Sequence, residues 1–188
     1  MYTLFIDTHY KDILICLFKN NELIKENKIT NAKSTSIETM PGIISVLNDS
    51  NITINDISKI AVIKGPGSFT GIRIGVTISK VLSYALNIPI VTLTSIDLMG
   101  INLLSPSYVS VEENNGAYVS YYDTKADEIT YYKKSLYEEF KQNNTVVENM
   151  DIDYSKLIKY INNLKPENPY NVNPLYIKSI EALHDKVN

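Results

Sequence analysis

The segment best suited to chemistry is a glycine-containing loop, GPGSFTGIRIG, at residues 65–75. It lies between a short apolar run at residues 59–64 and a long apolar pattern typical of a helix, which predicts a strand–loop–helix unit. Glycines allow positive φ and close backbone approach, and Ser68 or Thr70 can cap the helix. Since the free amides of a helix N-terminus attract anions, the loop is either a weak anion site or a structural turn. The residues concerned are Gly65, Pro66, Gly67, Ser68, Phe69, Thr70, Gly71 and Arg73.

The loop departs from the well-known phosphate and nucleophile motifs. No Gly-Lys-Ser or Gly-Lys-Thr triple follows the glycines, so the Walker pattern is absent. Gly71 comes one residue too late after Gly65 and Gly67 for the dinucleotide fingerprint. A Gly-x-Ser-x-Gly nucleophile elbow is also missing, and no serine, cysteine or zinc peptidase pattern can be identified.

The other chemically capable residues are few. The two histidines, His9 and His184, are far apart and lack neighbours at metal-ligand spacing. We therefore expect His9 to be a turn residue, His184 to be a solvated residue, and no metal to be bound. Cys16 lies in an apolar run and is expected to be a buried thiol. Asp7 follows the first predicted strand, where it either contacts a nucleotide or caps the strand.

Composition narrows the class of protein. Lys and Arg total 18 against 21 Asp and Glu, which gives a net charge of -3, and 44% of the residues are hydrophobic. A protein that binds RNA by itself usually has a basic stripe, and none is evident, so we expect any RNA contact to be made through a partner. No signal peptide and no apolar run of about 20 residues is visible, which predicts a cytoplasmic protein without a membrane span.

The elements that must position the loop follow from hydrophobic periodicity. Predicted strands cover residues 2–6, 12–18, 23–29, 59–64, 88–93, 108–111, 118–122 and 129–132. Predicted helices cover residues 35–48, 70–86, 94–104 and 151–164. This order predicts an α/β protein with two lobes, residues 1–93 and residues 94–188, each a mixed sheet flanked by helices.

Residues 59–75, KIAVIKGPGSFTGIRIG, resemble the signature of the TsaB (YeaZ) family without a gap. Supporting similarities are Ile6-Asp7-Thr8, the pair Ser36 and Pro41, Thr94-Ser95-Ile96, and Pro174-Leu175-Tyr176-Ile177. The similarity is strong over residues 1 to about 100 and weak beyond.

The resemblance implies an actin-like, sugar-kinase-like ATPase (ASKHA) fold with a trimmed second lobe. It also implies a non-catalytic subunit that pairs with a TsaD-type transferase and a TsaE-type ATPase to make N6-threonylcarbamoyladenosine in tRNA, contacting tRNA only through the complex. TsaD relatives hold a metal with closely spaced histidines on the first helix, which this chain lacks. Neither a cofactor nor a metal is therefore expected.

In the family the first two helices make the pairing, and here each helix can bury one side and offer another. The predicted partner-binding residues are Ser36, Met40, Ile43, Ile44 and Leu47 on the first helix and Ile72, Val76, Ser79, Lys80 and Ser83 on the second. A homodimer through the same surface is the expectation for the chain alone.

The chain departs from the family pattern at two segments. Thr35-Ser36 replaces His-Ser, and residues 112–116, EENNG, replace Asp-Ala-Arg-x-Gly, so an arginine is lost from the second lobe. Two alternatives stay open: a nucleotide-binding enzyme of the same fold, and an independent protein-interaction module.

Overall fold

The computed structural model describes residues 1–149 and 151–177. Its nine strands in that range are β1 (Tyr2–Asp7), β2 (Ile13–Lys19), β3 (Glu22–Ile29), β4 (Ile57–Ile63), β5 (Ile90–Leu93), β6 (Ser107–Glu113), β7 (Gly116–Tyr122), β8 (Thr130–Lys133) and β9 (Val146–Val147). The helices are α1 (Thr35–Asp49), α2 (Phe69–Leu86), α3 (Ser95–Gly100), α4 (Lys134–Asn143) and α5 (Tyr154–Asn163).

The strands form two mixed sheets. The first has the order β3-β2-β1-β4-β5, in which β1, β2 and β3 are antiparallel neighbours and β1, β4 and β5 are parallel. The second has the order β8-β7-β6-β9, with β9 as its one parallel strand among the described residues. The predicted α/β class and the mixed sheets flanked by helices are confirmed.

Helices cover both faces of the first sheet. On one face, α1 and α2 pack against Leu4, Ile15 and Ile60. On the other face, Leu157, Ile158 and Ile161 of α5 pack against residues such as Phe5 and Phe18. This double coverage explains why β1 and β2 are apolar almost throughout, since strands buried on both faces do not alternate with polar residues.

The prediction of lobes at residues 1–93 and 94–188 stays a prediction, but the packing adds a feature that sequence order does not reveal. Helix α5 and Val172 are part of the core around the first sheet, although both lie in the second predicted range. Among the described residues, the second sheet and the two apolar clusters around it are built from residues between α3 and β9.

Two elements were not predicted. Helix α4 follows β8 directly and is mostly polar, and it buries only Tyr137 fully. Strand β9 has two residues, too few for a periodic signal. The predicted helix at residues 94–104 is shorter than expected, since it ends at Gly100.

The role of α5 can be tested by truncating one buried side chain. Ile158 is fully buried in the core that α5 shares with the first sheet, so Ile158→Ala should lower the free energy of unfolding by about 2–5 kcal/mol. Urea denaturation measures this, with the exposed neighbour Lys159→Ala as control. Equal, small effects of both changes would contradict the packing.

Candidate functional site

The loop between β4 and α2 is packed tightly against the residues that follow β1. The amide of Ser68 donates to the carbonyl oxygen of His9 at 2.7 Å. Gly67 has φ +147°, and a Cβ there would collide with the same carbonyl. Because an L side chain rarely adopts this φ and has no room here, glycine is required at this position.

The first turns of α2 make an equally close contact with Thr8. The buried Thr8 hydroxyl donates to the carbonyl oxygen of Gly71 at 2.7 Å. A Cβ at Gly71 would strike the Thr8 carbonyl oxygen, and one at Gly75 would strike the Thr8 hydroxyl. The three glycines therefore let the end of β1 lie directly on the helix, and we call this contact the β1–α2 junction (Thr8, His9, Gly67, Gly71 and Gly75).

Other contacts hold the loop from its remaining sides. The hydroxyl of Ser68 accepts from the Gly71 amide at 3.2 Å and caps α2, as predicted. The Ser95 hydroxyl donates to the Pro66 carbonyl oxygen at 2.6 Å, and the Leu175 amide donates to the Lys64 carbonyl oxygen at 2.7 Å. These contacts favour the structural reading of the loop, and the weak anion site stays a prediction.

Asp7 and His9 form a pair beside the junction. One Asp7 carboxylate oxygen accepts from the His9 amide at 2.9 Å and lies 2.6 Å from His9 Nδ1. Burial disfavours the imidazolium and lowers the His9 pKa, but the Asp7 charge and hydrogen bond raise it, and the net pKa lies above the ordinary 6.5. His9 thus follows the strand as predicted, but it is held firmly by Asp7.

A cleft separates the two sheets and contains two cavities. One has a volume of about 560 Å³ and is lined by Tyr10, Lys11 and Ser68 on one side and by the end of β6, including Glu112, and the β6–β7 turn on the other. The second, of about 330 Å³, lies beside Asp7 and His9. The first is large enough for a small molecule.

The cleft acids pair with bases of the chain itself. Asp12 lies 3.6 Å from Lys28, and Lys141 lies 3.6 Å from Glu112 and 2.9 Å from Glu148. No group of three or more His, Cys, Asp or Glu side chains in residues 1–149 and 151–177 is arranged to hold a metal ion.

The structure corrects the predicted partner-binding face. Six of those residues point into the protein's own core or are buried beneath the helices: Ile43, Leu47, Ile72, Val76, Ser79 and Ser83. Hydrophobic periodicity located the apolar sides of α1 and α2 but assigned the sheet-facing sides to the partner. Ser36, Met40 and Ile44 are exposed and Lys80 is half-buried, so for these four the assignment stays a prediction.

The outward sides of α1 and α2 nevertheless carry an apolar surface. Ile37, Met40 and Ile44 are 71%, 37% and 50% exposed, and they recur at helical spacing along α1. On α2, Val81 is 59% exposed, and Ile74 and Ile78 are half-buried. Since α1 and α2 contact each other, we treat these six residues as one α1–α2 surface. Their neighbours on the outward sides, Ser36, Pro41, Asn48, Thr70, Thr77 and Ala85, are also uncharged.

Sequence reasoning missed Thr8 and the outward role of Ile37. Thr8 follows the first strand, and its polar type gave no sign of a contact with residues more than 60 positions later. Ile37 belongs to the same helical pattern as the buried residues of α1, so only the orientation of the helix separates them.

Comparisons with known proteins agree with the fold. The family model described as TsaD: tRNA N6-adenosine threonylcarbamoyltransferase matches residues 26–181. The tRNA threonylcarbamoyladenosine biosynthesis protein TsaB of Bacillus subtilis (strain 168) is 40% identical over 114 residues, which are 57% of this chain and 50% of that protein. The TsaB of Buchnera aphidicola subsp. Schizaphis graminum is 34% identical over 96 residues, 50% of this chain and 44% of that protein. The chain therefore matches about half the length of these curated relatives or less.

Among solved structures, YeaZ from Pseudomonas aeruginosa superposes with a TM-score of 0.77 at 12% identity. The match covers 93% of this chain and 100% of that one. The chain thus has the predicted actin-like fold with a small second lobe. Within the described residues, no helix combines the length and apolar character needed to cross a bilayer.

The β1–α2 junction predicts a coupling between two distant positions. Gly75→Ala places a methyl group against the Thr8 hydroxyl and should lower the free energy of unfolding by about 1–3 kcal/mol. In a Thr8→Ala background the hydroxyl is gone, so Gly75→Ala should lower the free energy of unfolding clearly less. Urea denaturation of wild type, the two single variants and the double variant gives the coupling free energy between Thr8 and Gly75. Thr77→Ala on the exposed side of α2 is the control. Additive costs would contradict the contact.

The Asp7–His9 pair predicts a pH dependence of stability. Because the folded-state pKa of His9 is raised, its contribution is fully present below about pH 6.5 and is lost as pH rises through the raised pKa. The difference in unfolding free energy between wild type and His9→Asn should therefore be largest below about pH 6.5 and shrink as pH rises through the raised pKa. Denaturation at several pH values on both sides of pH 6.5 measures this difference, and a difference that does not change with pH would rule out the charged pair.

Proposed function

The chain belongs to the family that the TsaD model describes, and within it to the TsaB (YeaZ) proteins; from this premise we propose that it is an accessory subunit of a tRNA-modifying complex. It pairs with a TsaD-type transferase and a TsaE-type ATPase in the formation of N6-threonylcarbamoyladenosine. It acts in the cytoplasm, contacts tRNA only through the complex and contributes no catalytic group. Without its partner it forms a homodimer.

The observation that carries this proposal is the α1–α2 surface. Three of its side chains, Ile37, Ile44 and Val81, are at least half exposed, and charged side chains adjoin it only at its margin, where Arg73 and Lys80 lie on α2, among uncharged outward neighbours such as Thr77 and Ala85. Exposed apolar residues that lie together on two neighbouring helices are typical of a surface that another protein covers. We infer from the family membership that this other protein is the TsaD-type transferase.

The loop and the cleft support an accessory role. The space beside Gly67 is filled by His9 and the space beside Gly71 by Thr8, and the Asp7 carboxylate is paired with His9. Each of these groups thus contributes to the fold through contacts within the chain.

A second candidate, a nucleotide-binding protein of the same fold, is favoured by the 560 Å³ cavity. Its lining holds one cation, Lys11, against two acids, Glu112 and Glu113, which is a poor electrostatic match for a triphosphate. Calorimetric titration of the chain with ATP tests it. Binding in the low micromolar range would revive this candidate.

Charges introduced on the α1–α2 surface should prevent pairing without unfolding the protein. Ile44→Glu and Val81→Glu each place a carboxylate where the partner packs, so each should weaken the 1:1 complex with the TsaD-type protein of the same organism at least tenfold, about 1.4 kcal/mol. Light scattering after gel filtration gives the stoichiometry, and calorimetry gives the affinity. Since both positions are exposed, thermal melting should change little.

The matched control is Leu104→Glu, because Leu104 is 98% exposed and lies outside the surface. In cells that lack the gene, wild type and Leu104→Glu should restore the modified adenosine in tRNA, and the Ile44→Glu, Val81→Glu double variant should not. If the double variant pairs normally, the surface is wrong. If the wild type does not pair, the proposed function is wrong.

A further inference from the structure

The exposed guanidinium of Arg73 is held in one position by aromatic side chains. Its central carbon lies 3.7 Å from the centre of the Phe69 ring, and its Nε donates to the Tyr176 hydroxyl at 2.6 Å. The two rings are themselves in contact, with centroids 5.4 Å apart. We call Phe69, Arg73 and Tyr176 the arginine clamp.

The chain segment that provides Tyr176 is well anchored. The Leu175 amide is bonded to the Lys64 carbonyl oxygen, and Val172 is buried in the core. Farther along α2, Tyr170 packs edge-on against Tyr84 with ring centroids 5.3 Å apart. Both ends of this segment are therefore fixed on α2, and the clamp does not depend on a single weak contact.

The clamp leaves most of the hydrogen-bonding capacity of Arg73 unused. A guanidinium has five N–H donors, and only the Nε donor is engaged within the part of the chain that the structure describes. In that same part no carboxylate lies within ion-pair distance of Arg73. Stacking has already restricted the side chain, so an incoming carboxylate would meet a preformed fork at a low entropic cost.

The clamp lies along one margin of the α1–α2 surface. Arg73 precedes Ile74 of that surface, and Lys80 lies two helical turns farther along the same side of α2, where its ammonium donates to the Tyr170 carbonyl oxygen at 3.4 Å. An uncharged apolar surface thus has a basic margin, although the whole chain has a net charge of -3.

We propose that Arg73 binds a carboxylate side chain of the TsaD-type partner at the margin of the α1–α2 surface, with Lys80 as a second, weaker contact. This inference rests on the proposed function and adds the chemistry that the partner must present: an acidic residue beside its own apolar helix surface. Complementary charges at an interface margin fix the register of the two proteins and speed their association.

A carboxylate fits better than a nucleic-acid phosphate. Phosphate backbones are bound by stripes of several cations, because each cation–phosphate contact contributes only a modest, salt-dependent part of the binding free energy. Here two cations stand beside an apolar surface suited to another protein, and Arg73 offers a planar pair of donors that matches one carboxylate.

Affinity measurements on the complex test the proposal. Calorimetry of the chain with the TsaD-type protein should show a loss of about 10- to 100-fold for Arg73→Gln and a smaller loss for Arg73→Lys, which keeps the charge but not the fork. Tyr176→Phe, which removes the hydroxyl that holds Nε, should lose about two- to fivefold. The control Lys125→Gln changes an exposed cation in the loop between β7 and β8 and should stay within about twofold.

Salt supplies a readout that a packing defect would not give. Between about 0.05 M and 0.3 M NaCl the affinity of wild type should fall more steeply than that of Arg73→Gln. If Arg73→Gln binds as wild type while Ile44→Glu does not, the carboxylate inference fails and the proposed function stands. If Arg73→Gln leaves pairing unchanged but weakens tRNA binding by the complex, the anion is a phosphate and the inference is overturned. If wild type forms no complex, the proposed function itself fails.

Discussion

The structure depends on how closely the end of β1 approaches the start of α2. Thr8 lies directly on a helix whose facing residues, Gly71 and Gly75, have no side chain, and its hydroxyl donates to the Gly71 carbonyl oxygen, while His9 lies against Gly67 of the preceding loop. A larger residue at either glycine would push the helix away from the strand. Since α2 contacts β1, β4 and β5 as well as α1, its position fixes much of the layer that covers the first sheet.

This constraint also determines which sides of the helices are free. With α2 fixed on the sheet, Ile72 and Val76 are buried in the core, whereas Val81 of the α1–α2 surface is exposed and Ile74 and Ile78 beside it are half-buried. Helix α1 packs beside α2 and buries Ile43 and Val46 in the same core, so its outward stripe of Ile37, Met40 and Ile44 continues that surface. The surface therefore results from the junction, and a change at Thr8 would be felt at residues it does not touch.

The sequence predicted the strands of the first sheet well, because residues 2–6 and 12–18 are apolar enough to indicate burial on both faces. The signature loop was also placed correctly, since glycine, proline and serine mark both the turn and the cap of α2. The sides of the helices were predicted wrongly at Val76 and Ile43, because a helix in an α/β layer can have more than one apolar side and periodicity does not identify the sheet-facing one. Contacts between distant parts of the chain, such as α5 on the first sheet and Thr8 on Gly71, have no local signal.

The signature segment at residues 65–75 thus combines two separate tasks. Gly67, Gly71 and Gly75 face inward, where the absence of side chains lets β1 approach. Phe69 and Arg73 face outward, where they hold Tyr176 and with it the segment that follows α5. At the inward positions a side chain would collide with Thr8 or His9, whereas the outward residues act through stacking and charge and lie outside the core. Variants of the two groups should therefore separate folding from the proposed contact with a partner, although both groups lie within one short segment of the chain.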